Sequence, residues 1–155
     1  MQGSSPSSSG SRITLRPGRR PLHDPPRVLV ADDDRDTREA LVEILQLEGY
    51  DVQEAADGGR LLVALTHSEL CGYADGLDLL VSDICMPVCS GLQIVEGLRA
   101  AHCSVPVLLI TAAVDERTRL KAARLGAVLL EKPFTLGALT STVADLLATH
   151  RSNVQ

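Results

Sequence analysis

Residues 28–34 read Val28-Leu29-Val30-Ala31-Asp32-Asp33-Asp34, four apolar residues running straight into three carboxylates. A short apolar run without polar alternation is what a strand covered on both faces requires. Working outward, Asp34 or Asp36 can cap a helix whose apolar positions Ala40, Leu41, Ile44, Leu45 and Leu47 recur at helical spacing. Gly49 stands where a helix end wants a positive φ, and Tyr50 to Ala55 reads as a second strand. Asp57 can cap a second helix with Leu61, Leu62 and Leu65 on its inner face. A loop follows at Cys71 to Leu77, and Leu79-Leu80-Val81 forms a third strand running into Ser82-Asp83.

The same alternation continues to the end of the chain. Met86 to Gly91 is a loop, Leu92 to Ala101 a helix, and Val105 to Ile110 a strand with Pro106 near its beginning. Asp115 to Leu125 is a charged helix closed by Gly126, Val128 to Leu130 is the fifth strand, and Thr135 caps a final helix. Strands alternating with helices over short connections imply a parallel sheet wound on both faces, because each crossover is right-handed and needs a helix. No internal repeat is evident beyond that alternation. The predicted organisation is a tail over residues 1–26, one folded domain over 27–149, and a stub over 150–155.

Composition narrows the class. The 155 residues suit one domain, and the 45% apolar share suffices for a core, which Leu, Val, Ile and Ala must build because the aromatics are only Tyr50, Tyr73 and Phe134. The net charge of −5, with no Lys/Arg-rich run in the folded part, argues against a nucleic-acid surface. The tail holds Arg12, Arg16, Arg19 and Arg20 but little to bury. Cys71, Cys85, Cys89 and Cys103 form no C-x-x-C pair, and they read as reduced thiols of a cytoplasmic protein. No apolar run approaches the ~18 residues of a membrane span, and the N-terminus lacks the apolar stretch of a secretory signal.

In an open parallel sheet, ligands bind beyond the C-terminal ends of the strands, where strand order reverses. The residues at those ends are Asp32, Asp33 and Asp34 after the first strand, Asp83 after the third, Thr111 after the fourth and Lys132 after the fifth. Each alone has an ordinary structural explanation: a helix cap, a β-former, a solvated loop charge. Their coincidence at one end of one sheet does not. Two carboxylates ~4 Å apart repel by about 4 kcal/mol at an effective dielectric of about 20, so the cluster calls for a cation or a protonated acid. Mg²⁺ suits such a site, being small and oxygen-seeking, and a carboxylate beside it can attack phosphorus. Lys132 and Thr111 can then hold the oxygens of the transferring group.

These segments resemble the receiver domain of two-component response regulators. The resemblance runs from about Arg27 to Thr149 and rests on Val28–Asp34, Val81–Pro87, Ser90-Gly91-Leu92, Ile110-Thr111-Ala112 and Glu131-Lys132-Pro133-Phe134. It implies a flavodoxin-like (βα)5 fold with strand order 2-1-3-4-5. It also implies Asp83 as phosphoacceptor and Mg²⁺ held by Asp32, Asp33, Asp83 and the backbone carbonyl of Cys85, with Asp33 a direct ligand. Thr111 and Lys132 complete the site, and the Lys132-Pro133 bond is expected to be cis. The implied partners are a histidine kinase or histidine phosphotransfer protein and a downstream protein, with no enzyme activity of its own and neither nucleic acid nor membrane as partner. One departure is Leu129, where the family usually carries an aromatic residue. An alternative is a phosphatase resembling the haloacid dehalogenase superfamily, since Asp32 and Asp34 have its D-x-D spacing. Asp36 stands where that motif wants Thr or Val, and no acidic pair follows Lys132.

Overall fold

The computed structural model describes residues 24–66 and 76–152, without the side chains of residues 66 and 150–152. Residues 1–23 of the expected tail and 71–75 of the Cys71–Leu77 loop therefore lie outside the described residues. Five strands form one sheet: β1 (Arg27–Ala31), β2 (Asp51–Ala55), β3 (Leu79–Asp83), β4 (Val107–Thr111) and β5 (Val128–Glu131). The helices between and after them are α1 (Arg35–Leu47), α2 (Gly58–Thr66), α3 (Gly91–Ala100), α4 (Glu116–Arg124) and α5 (Leu136–Ser152). All four pairings are parallel and the order is β2-β1-β3-β4-β5, the doubly wound architecture expected.

The continuous apolar runs are explained by what covers them. Val28, Val30, Leu79, Val81, Leu108 and Ile110 face α1 and α5, meeting Leu41, Leu45, Leu139, Val143 and Leu147. Leu29, Leu80, Val107 and Leu109 face α2, α3 and α4, meeting Leu61, Leu65, Ile94, Val95, Leu98 and Ala122. Since successive strand residues point to opposite faces, both sets must be apolar.

Helix ends follow local chemistry. Asp34, rather than Asp36, caps α1 by accepting from the Thr37 amide at 3.0 Å. Ser90 and Gln93 form a reciprocal capping box at the start of α3. Gly49 takes φ 92°, as its place after α1 requires.

Three expectations need adjustment. Leu62 is 40% exposed rather than on the inner face of α2, and on α1 Ala40 is exposed and Leu47 is 82% exposed. Two residues past Leu45 is a 200° rotation, which turns Leu47 away from the sheet. Strand β4 begins at Val107 rather than Val105, because Pro106 has no N–H to give the ladder; its carbonyl still accepts from Leu80. Helix α5 continues to Ser152, three residues beyond the predicted end.

Candidate functional site

The order reverses between β1 and β3, and the carboxylates gather there. Asp32 immediately follows β1, and Asp83 is the last residue of its neighbour β3. Asp32 is fully buried, Asp83 is 8% exposed, and Asp33 faces solvent between them. One oxygen from each of Asp32, Asp33 and Asp83 lies within 4.8 Å of the others. Asp34 is not in this group, because its carboxylate is turned into α1 as the cap and also accepts from the Thr37 hydroxyl. That removes half of the D-x-D pair on which the phosphatase alternative depended.

Lys132 enters from the end of β5. Its amide donates to the Thr111 carbonyl at 2.8 Å, which carries the side chain across β4 toward β3. Its Nζ donates to Asp83 Oδ2 at 3.2 Å and lies 3.5 Å from Asp32 Oδ2. The peptide bond from Lys132 to Pro133 is cis, as the resemblance implied. Asp83 Oδ1 accepts from the Cys85 amide at 3.0 Å, so both carboxylate oxygens are oriented. Ser82 donates from its hydroxyl to the Asp83 carbonyl at 2.9 Å. A β-carbon at Gly91 would stand 2.5 Å from that carbonyl, so only glycine lets α3 close onto the end of β3.

The electrostatics are divided. Burial pushes the Asp32 carboxyl above its ordinary value, with Asp83 adding to the rise, while the Asp34 amide and Lys132 oppose it. Burial alone would lower Lys132, but the two carboxylates outweigh it and hold the ammonium above its ordinary value. Among the described residues, the buried Asp32 Oδ2 has no hydrogen-bond donor, and its ion-pair partner Lys132, 3.5 Å away, is shared with Asp83. A hard, oxygen-seeking dication fits that orphan oxygen and an all-carboxylate donor set.

Thr111 is buried at the end of β4, with its hydroxyl donating to and accepting from the Ala113 backbone at 3.2 Å. It is thus at the site but turned into its own loop. Cys85 lies beside Asp83, exposed, with a thiol outside the cluster of ligand atoms.

Comparison with known proteins bears on the family and the fold. Residues 28–144 match the response regulator receiver domain. The chain belongs to that family. The receiver is 38% identical over 123 residues to the transcriptional regulatory protein PrrA of Mycobacterium tuberculosis, covering 79% of this chain and 50% of that one. It is 34% identical over 122 residues to the transcriptional regulatory protein CpxR of Escherichia coli, covering 78% and 49%. The chain thus spans about half the length of the curated relatives it matches. Among solved structures, the chemotaxis protein CheY4 of Vibrio cholerae superposes with a TM-score of 0.66 at 28% identity, covering 77% of this chain and 97% of that one. The receiver domain of the Francisella response regulator 1452 gives 0.69 at 26% identity, covering 80% and 98%.

Within the receiver, Leu129 lies on β5 opposite Leu109 and packs against the α2–α4 side of the core. Two supporting residues escaped the sequence reading. Ser82 carries no signal beyond being polar inside an apolar strand. Arg38 sits one turn into α1, where a basic residue usually reads as a solvated charge. Here its side chain is largely buried and bonds the Asp32 carbonyl.

Proposed function

We propose that this receiver accepts a phosphoryl group on Asp83 from a histidine kinase or histidine phosphotransfer protein, in a Mg²⁺-dependent reaction. It then signals through contact with a downstream protein. The observation that carries this reading is the orientation of Asp83. One oxygen is fixed by the Cys85 amide, the other by Lys132, and the Asp32 and Asp33 carboxylates stand within 4.8 Å. The Asp83 carboxylate attacks phosphorus, the P–N bond of the phosphohistidine breaks, and the imidazole leaves with its electron pair. Asp32, Asp33, Asp83 and the Cys85 carbonyl are the groups that would hold the metal. When bound, Mg²⁺ neutralises charge on the transferring group. Lys132 retains one of the phosphoryl oxygens in place of its Asp83 contact. The Thr111 hydroxyl must leave Ala113 to reach another, and that rotation is the first event available to a switch.

The folded unit proposed is residues 27–149, acting in the cytoplasm as a phosphorylated module rather than as an enzyme. Among the described residues no helix is long and apolar enough to cross a membrane. The expectation of no nucleic-acid partner gains no support from relatives named as transcriptional regulators, and it is confined to the surface of this domain.

The test is incubation with acetyl phosphate and Mg²⁺ followed by mass spectrometry. Wild type is expected to gain one phosphoryl adduct located at Asp83, and Asp83→Asn none. An adduct retained by Asp83→Asn would place the acceptor elsewhere.

A further inference from the structure

Arg38 lies six residues after Asp32, on the first turns of α1, with its side chain only 12% exposed. Its Nη1 donates to the backbone carbonyl of Asp32 at 2.9 Å. Its Nε stands 3.9 Å from Glu54 Oε1 on β2, outside hydrogen-bond range, and has no hydrogen-bond partner among the described residues. The guanidinium therefore bridges the first helix, the edge strand and the loop between β1 and α1.

The residue on which that bridge acts, Asp32, has both of its flanking peptide groups tied. The Asp32 amide donates to the Ala55 carbonyl at the end of β2, at 3.2 Å. The Asp32 carbonyl, at the other end of the residue, accepts from Arg38. That carbonyl belongs to the peptide plane joining Asp32 to Asp33, so its direction sets where the Asp33 Cα stands. Asp33 is exposed and has little packing of its own to fix it. The backbone is thus pinned just where the most solvent-facing carboxylate of the cluster departs from it.

We propose that Arg38 is a positioning residue for the metal site, holding the Asp32–Asp33 peptide so that both carboxylates converge with Asp83. The inference rests on the reading of this cluster as a Mg²⁺ site. It assigns Arg38 no contact with metal or phosphoryl group. Removing groups that orient metal ligands in this way typically costs about 10–100-fold in metal affinity.

The sign of the effect separates positioning from charge. Arg38 is a cation close to a cation site, so simple electrostatics predicts that neutralising it tightens Mg²⁺ binding. Positioning predicts the reverse. Mg²⁺ is titrated calorimetrically into the full chain as wild type, Arg38→Met and Arg38→Lys, with urea unfolding of each metal-free protein measured alongside. Arg38→Met is expected to bind Mg²⁺ about tenfold more weakly while remaining folded. Arg38→Lys, which keeps the charge and one donor but not the planar fork, is expected to fall between the two. Equal or tighter binding by folded Arg38→Met overturns the proposal. If Arg38→Met does not fold, Arg38→Lys decides, and binding equal to wild type overturns it. A wild type that binds no Mg²⁺ would instead overturn the metal-site reading, and this inference with it.

Discussion

Arg99 and Asp32 are both charged side chains drawn out of water, at opposite ends of the same sheet, and the protein treats them in opposite ways. Arg99, near the end of α3, has Nε on the Leu125 carbonyl at 2.8 Å, and Nη1 on the Cys103 and Val105 carbonyls at 2.8 and 2.9 Å. It ties the ends of α3 and α4 to the approach of β4. Burial still draws its guanidinium below the ordinary value, but its bonds are made. Asp32 keeps one buried oxygen without a donor, beside a second carboxylate, with a single lysine for two acids. A buried charge with its partners supplied is a structural tie. One left short of partners is a candidate for holding a ligand.

The largest expected effect falls at the satisfied end. Arg99→Met strips three carbonyls of a charged donor and should lower unfolding free energy by about 3 kcal/mol in urea denaturation. Mg²⁺ affinity should stay unchanged. A parallel loss of Mg²⁺ binding would mean that the two ends are coupled, and the contrast would fail.

At the unsatisfied end the direction reverses. Asp32→Asn removes a desolvated carboxylate and its repulsion toward Asp83, so the metal-free protein should gain about 1 kcal/mol of stability. The same variant should lose most of its Mg²⁺ binding. Destabilisation of the metal-free protein would show that the Asp32–Lys132 contact outweighs the burial, and that the site is better balanced than the orphan oxygen suggests.

The smallest effect sharpens the comparison through pH. Asp34 and Asp115 are exposed helix caps whose carboxyls are held below 3.8 by hydrogen bonds from Thr37 and Thr118. A depressed carboxyl contributes stability that is full above 3.8 and fades as pH falls through the lowered value. Asp32 is raised, so its protonated form is the one the fold favours: that contribution is full below 3.8 and is lost as pH rises through the raised value. Asp115→Asn keeps a capping oxygen but cannot titrate. It should match wild type near neutrality and be relatively more stable below pH 3.8 in acid-unfolding curves. Identical acid limbs for the two proteins would remove Asp115 from the account.

Leu129 and Leu47 show how far the residues could be read as chemistry before they were read as places. Leu129 was legible as a departure from the family pattern, and the structure gives it a packing role against the core. Leu47 looked like core by its chemistry and is not, because one position of helical phase separates inside from outside.

By itself, the sequence determined the alternation of strands and helices, the parallel sheet, and the acids, hydroxyl and lysine at the strand ends. Those follow from local periodicity, from the covering that parallel strands require, and from the rule that sites form at the reversal of strand order. Only the tertiary structure decided that Asp34 belongs to α1 while Asp33 belongs to the cluster, that Thr111 is turned toward Ala113, and that Arg38 and Ser82 hold the backbone of the two key acids. The reason is physical. Composition and spacing fix which side chains reach one end of the sheet, but the direction of a carboxylate or a guanidinium is set by donors and acceptors brought in from distant strands and helices.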